Sequence, residues 1–188
     1  MSTRLKTRSQ SSILFQIPAY FFGYGFLATI YEIIYELIFF IKYRKFKYLF
    51  AIDQNDTDQV GGCYIPTPYY KMLKGLSFLK PVMDPGKSLF IDIGSGAGRV
   101  LFVAALEGFR YVLGIELSRS LCDLSDCNFN NYFRGDSDTD YRTIHSDVGD
   151  IEFNTFIEDK YKGIESIVVY IGGTYAVGTD KLDELTKF

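Results

Sequence analysis

Three glycines in five positions carry the clearest chemical signal in the chain. The run Asp92-Ile93-Gly94-Ser95-Gly96-Ala97-Gly98 stands between an apolar stretch, Leu89–Ile93, and a helical pattern, Arg99–Glu107. Glycines are needed where a backbone turns sharply from strand to helix and a ligand lies directly against the main chain. A phosphate-binding loop of the GxxxxGK[ST] type is excluded, because no lysine follows these glycines. The dinucleotide pattern GxGxxG fits poorly: its third glycine falls at Arg99, and Gly98 comes one position early. Asp92 stands two residues before Gly94. An anion there repels a pyrophosphate and favours a ligand with a cationic amino group.

Other carboxylates recur at matching places. Glu116 ends the next apolar run, 24 residues after Asp92. Followed by Leu117, it stands where a carboxylate can accept ribose hydroxyls. Asp147, followed by Val148, comes directly after a third strand-like run, at the carboxyl edge of a sheet. There it can accept an exocyclic amine of adenine, or simply cap a turn. S-adenosylmethionine combines an ammonium, a ribose and an adenine with no phosphate, and it is the expected cofactor. Glu116 alone suits NAD equally well; Asp92 and the glycine spacing favour the sulfonium.

Other chemistries lack residues. His145 is the only histidine, and Cys63, Cys122 and Cys127 form no CxxC pair, so neither a zinc site nor a disulfide framework is expected. His145 is expected to be structural, and Cys122 and Cys127 to be core thiols. No catalytic acid–base group is assigned.

The elements that must position these residues alternate. A short helix is expected at 69–80 and strands at 89–93, 111–115, 141–145 and 166–171. Helices are expected at 99–107, from Ser118 to about Asn131, at 151–161 and from Thr179. Such alternation argues for an open parallel α/β sheet with right-handed crossovers. The length of 188 residues and an apolar content of 47% suit one domain with a buried core.

Charge is uneven. Residues 1–50 carry a net +5 and residues 51–188 a net −8. The acidic body argues against a nucleic-acid binder. Ser9–Tyr31 is a run of 23 uncharged residues, with Arg4, Lys6 and Arg8 before it. Glu32 and Glu36 interrupt the apolar pattern, which resumes to Ile41 before Lys42, Arg44, Lys45 and Lys47. Three readings stand side by side: a single membrane span, a monotopic or re-entrant element broken near Pro18–Gly25, and a helix pair packed on the domain. The stripe Ile30, Ile33, Ile34, Leu37, Ile38, Ile41 has the spacing of a buried helix face. A cytoplasmic location is expected, with membrane association through residues 9–41.

With DIGSGAGR (92–99), GIELS (114–118) and SDV (146–148) in place, the chain resembles a class I S-adenosylmethionine-dependent methyltransferase over residues 61–175. With YIPTP (64–68), it is similar to small bacterial methyltransferases. It is also similar to mitochondrial protein-lysine methyltransferases with a membrane-seeking N-terminus. The resemblance implies a Rossmann-like sheet at 63–188, a loop at 53–62 and apolar helical segments within 1–52. It implies that Tyr64 and Thr67 lie over the methionine end of the cofactor; Tyr170 is counted with the cofactor-binding residues, and with Thr174 and Tyr175 it is available to line the target site or to close the sheet edge. Asp92, Ile93, Gly94, Ser95, Gly96, Gly98 and Arg99 would form the loop that holds the amino-acid part. Glu116 and Leu117 would take the ribose, and Asp147 and Val148 the adenine. Two departures are expected to matter. The run after the fourth strand, YIGGTY (170–175), lacks the Asn-Pro-aromatic motif of relatives. The chain also stops where a fifth strand and a hairpin would follow, so the domain reads as C-terminally incomplete. Methyl transfer to a protein lysine, a small metabolite or a glycan is expected, with a catalytically inactive binding protein as the alternative.

Overall fold

The computed structural model describes residues 25–43, 67–133, 138–153, 157, 161 and 163–172. Its elements are helix α1 (Phe26–Lys42), helix α2 (Tyr69–Leu79), strand β1 (Ser88–Ile93), helix α3 (Arg99–Leu106), strand β2 (Tyr111–Glu116), helix α4 (Arg119–Tyr132), strand β3 (Asp140–His145) and strand β4 (Ser166–Ile171). Tyr64, Cys63, the expected 53–62 loop and the expected helix from Thr179 lie outside the described residues. So do residues 1–24 of the N-terminal segment.

All four strands are parallel and stand in the order β3-β2-β1-β4. The chain winds outward from β1 to β3, then returns across the sheet to β4. This doubly wound, Rossmann-like order places a switch point between β1 and β4, where the crevice at the carboxyl ends of the strands opens. The central strand β1 is buried along its whole length, as its near-continuous apolar run requires.

Alternation along the strands splits the core in two. Phe90 and Val112 face one way, toward α2, α3, Phe39 of α1, and Tyr141 and Val168. Leu89, Ile91, Ile93, Leu113 and Ile115 face the other way, toward Ile151, Phe153, Ile157 and Tyr161. The expected helix at 151–161 is represented by these buried side chains, with the residues between them outside the described set. Helix boundaries follow local chemistry. Ser118 caps α4 by accepting a hydrogen bond from the Leu121 N–H at 3.3 Å. Gly108 follows α3 with φ +96°, which ends the helix in a conformation that glycine adopts freely.

Helix α1 overturns one expectation. The Ile33, Ile34, Leu37, Ile38 and Ile41 stripe faces outward, with Leu37 56% and Ile41 67% exposed. The buried residues are Thr29, Glu32, Glu36 and Phe39. The face is turned this way because α2 and α3 present α1 with polar groups, a guanidinium and two backbone N–H groups, which Glu32 and Glu36 answer. Among the described residues, no helix is long and apolar enough to cross a membrane. Cys122 is buried as expected, whereas Cys127 is exposed on the solvent side of α4.

Two glycines separate packing from propensity. At Gly98, φ is +79° and an added Cβ would stand 2.0 Å from Ser125 Oγ and 2.7 Å from Tyr141 Oη. At Gly75, exposed within α2, nothing lies within 4 Å. Gly98→Ala is therefore expected to cost about 2–3 kcal/mol and to lower Tm by roughly 4–12 °C. Gly75→Ala is expected to stabilise by up to ~1 kcal/mol. Thermal melts of the two variants check this, and an unshifted Tm for Gly98→Ala would contradict the packing described.

Candidate cofactor-binding site

The site begins where β1 ends. Gly94, Gly96 and Gly98 have φ values of +76°, +53° and +79°. These are left-handed conformations that L side chains adopt only at a cost. The turn is fastened to the end of β2: the Gly94 and Ser95 N–H groups donate to the Ile115 carbonyl at 2.8 and 3.1 Å. On its other side, Asn128 Nδ2 of α4 donates to the Ala97 carbonyl at 3.1 Å in a buried position. Gly114 permits close packing, because a Cβ there would meet Ser95 Oγ at 2.6 Å.

Glu116 closes the turn from below. One carboxylate oxygen accepts from the Gly96 N–H at 2.8 Å and the other from the Ser118 N–H at 2.9 Å. It thus ties the loop to the entry of α4. Each oxygen keeps a second lone pair for a further donor. Asp92, in register with Gly114 of β2 and Tyr170 of β4, is 2% exposed. Burial pushes its carboxyl well above the usual range, and the nearby negative charge of Glu116 adds to the effect. Such a group gains most from a cation brought beside it.

A cleft of about 140 Å³ opens beside the turn, lined by Gly94, Glu116, Leu117, Asp147 and Val148 together with Ile93, Ile115 and Ser146. The structure therefore brings the expected ribose and adenine residues into one concave place with the first loop glycine. Asp147 also caps the short 3-10 turn Val148–Asp150, accepting from the Gly149 N–H at 2.8 Å. His145 is exposed, and its Nε2–H donates to the Leu117 carbonyl at 2.9 Å, steadying the segment after β2. On the β4 side, Tyr170 donates to Thr67 Oγ1 at 3.4 Å. A larger cavity of about 580 Å³ lies along the β3 edge, bounded by Asp126 and Arg142, and contains none of the loop residues.

Arg99 takes a different place. Its side chain is 2% exposed, forms an ion pair with Glu36 of α1 and lies over the Tyr69 ring, 3.6 Å from the centroid. It supports the loop from behind rather than lining the cleft. Glu36, Glu32, Ser118 and Asn128 were not among the expected site residues. The available signal was the i, i+4 spacing of two carboxylates inside an otherwise apolar helix.

No protein-family model matches this chain. No curated protein matches it either. Several solved structures share part of its shape. A putative protein-L-isoaspartate O-methyltransferase from Plasmodium falciparum, in complex with S-adenosyl-L-homocysteine, is 18% identical over 71% of this chain and 62% of its own, with a TM-score of 0.48. An S-adenosylmethionine-dependent methyltransferase from Thiobacillus denitrificans, in complex with S-adenosyl-L-homocysteine, is 17% identical over 72% of this chain and 51% of its own, at a TM-score of 0.48. Magnesium protoporphyrin IX methyltransferase from Synechocystis, with bound S-adenosylmethionine, is 15% identical over 44% of this chain and 38% of its own, at 0.39. This chain thus spans less than two thirds of the length of each.

The double role of Glu116 can be measured. In Glu116→Gln, one amide acceptor becomes an NH₂ donor, so either Gly96 or Ser118 loses its partner in a buried site. The expected loss is about 1–3 kcal/mol, read as a lowered denaturant midpoint. A midpoint equal to wild type would mean that the carboxylate does not fasten the loop.

Proposed function

We propose that this chain binds S-adenosylmethionine and transfers its methyl group to an acceptor nucleophile, a protein lysine or a small metabolite or glycan. The observation that carries the proposal is the buried Asp92 at the root of a three-glycine left-handed turn, with Glu116 and Asp147 along one adjoining cleft. The residues fit the group. Asp92 answers an ammonium, and Glu116 has lone pairs left for ribose hydroxyls. Ser95 Oγ is buried with no hydrogen-bond partner among the described groups, which leaves a hydroxyl to serve a ligand at the turn. Leu117 and Val148 offer apolar surface on either side of a flat base.

When bound, the cofactor supplies an electrophilic methyl on a sulfonium, so the chain's own work is positioning and electrostatics. Asp92 and the Ser95 hydroxyl would hold the amino-acid part. Glu116 and Asp147 fix the nucleoside, and Tyr170 with Thr67 bounds the methionine end. An amine that arrives neutral needs no dedicated base. The outer face of α1 suits a further role. Its exposed Ile, Leu and Phe side chains run toward Lys42, with Arg44, Lys45 and Lys47 next in sequence. An apolar face beside a basic cluster is the composition of a helix that lies on an anionic bilayer surface.

Calorimetric titration with S-adenosylhomocysteine is expected to give micromolar binding to wild type and none to Asp92→Ala, with NAD silent for both. An unchanged Kd in Asp92→Ala would refute the site assignment. Binding without turnover on a panel of lysine-bearing proteins and metabolites would favour the inactive, cofactor-binding alternative. In flotation assays the chain should rise with phosphatidylserine-containing vesicles and less so with phosphatidylcholine alone. Leu37→Lys/Ile41→Lys should abolish flotation, and its persistence would remove α1 from the interface.

A further inference from the structure

We infer that Glu36 is a positioning residue for the cofactor loop: through its ion pair with Arg99 and its hold on the start of α2, helix α1 sets the geometry of the glycine turn and of the Thr67–Tyr170 side of the site. The inference rests on the cofactor reading above and adds to it a helix far away in sequence. Arg99 is the first residue of α3 and follows Gly98 directly. Any displacement of its side chain pulls on the last left-handed residue of the turn. Its guanidinium is held between the Glu36 carboxylate and the Tyr69 ring.

The same carboxylates also hold the element that carries Thr67. Helix α2 starts at Pro68 with no side-chain cap of its own. Its first N–H groups are answered from α1 instead: Tyr69 N–H donates to Glu36 Oε1 at 3.3 Å and Tyr70 N–H to Glu32 Oε2 at 3.1 Å. Thr67, which accepts from Tyr170, stands immediately before that cap. Helix α1 thus clasps the glycine turn and the Thr67–Tyr170 side at once.

Glu32, Glu36 and Arg99 are 4%, 5% and 2% exposed. Two carboxylates and one guanidinium in such a place reach neutrality only if one proton is shared between the acids. Among the described residues Glu32 Oε1 and Glu36 Oε2 have no other hydrogen-bond partner, and a proton between the two side chains satisfies both. Burial, reinforced by Glu36, raises Glu32 from 4.5 to about 8. The groups facing Glu32 are Glu36 on its own helix, Arg99 from α3, and the backbone N–H groups of Tyr69 and Tyr70 from α2. The folded state holds this proton more tightly than the unfolded chain does. The contribution to docking is therefore whole below 4.5 and is lost as pH rises toward 8.

The test measures the Kd for S-adenosylhomocysteine at several pH values in wild type, Glu36→Gln and Glu32→Gln, each confirmed folded by circular dichroism. Glu36→Gln keeps an acceptor for Tyr69 but removes the charge that pairs with Arg99, and it should weaken binding about tenfold at neutral pH. Glu32→Gln mimics the protonated acid. It should match wild type near pH 4.5 and bind increasingly more tightly than wild type as pH rises to 8, so that the ratio of the two Kd values climbs with pH. That ratio cancels any titration of Asp92, and a merely structural role would shift melting temperatures without moving it. Wild-type affinity in folded Glu36→Gln overturns the inference. If Glu36→Gln does not fold, the wild-type to Glu32→Gln ratio decides, and a flat ratio overturns it. Absence of binding by wild type at every pH overturns the cofactor reading, and this inference falls with it.

Discussion

A guanidinium taken out of water has to be answered by a carboxylate, and the arrangement of the N-terminal half follows from that requirement. Arg99 is buried at the exit of the glycine turn. Left alone there, it would cost several kcal/mol. Helix α1 supplies the answer by turning its two carboxylates inward, and its apolar residues outward as a result. The start of α2 takes advantage of the same two groups, so a helix without its own cap begins against a neighbour. One ion pair thereby ties together three helices, α1, α2 and α3.

The cleft side is ordered by a second set of carboxylates under the opposite pressure. Asp92 is buried with no cation beside it among the described residues, and its carboxyl is driven toward the neutral form. Glu116 is buried too, but each oxygen has a backbone N–H donor, and its charge is spent on holding the loop. The two acids stand close yet differ in what a ligand can offer them. A cation resolves the first, whereas hydroxyl donors only add to the second. This division of labour reads more specifically than the glycine turn alone, which recurs wherever a ligand approaches the start of a helix.

Much of this was legible in the residues. The four strands follow from short β-branched and apolar runs bounded by glycine, proline and polar clusters, and β4 is found at the expected 166–171. Ser118 announced α4, since a serine cap acts on its own next turn. The clustering of Gly94, Glu116, Leu117, Asp147 and Val148 also follows from sequence, because parallel winding brings the ends of β1, β2 and β3 to one edge. The orientation of α1 was not legible. Ile33 to Ile41 have the period of a buried face, and only a partner 63 residues further on reverses it. Cys127 was misplaced for a related reason: the helix period puts it one step off the face that carries Cys122, Ser125 and Phe129.

The distance between Glu36 and Arg99 along the chain has a consequence for synthesis. Helix α1 leaves the ribosome 63 residues before the guanidinium that will answer its carboxylates. At about 5–20 residues per second the interval is roughly 3–13 s. During that time α1 is an apolar segment whose acids face water, while everything it will dock against is still being made. Its inward side is complete only once that guanidinium and the start of α2 have been made. The inward face of α1 is therefore completed late, when the guanidinium emerges and the ion pair can form.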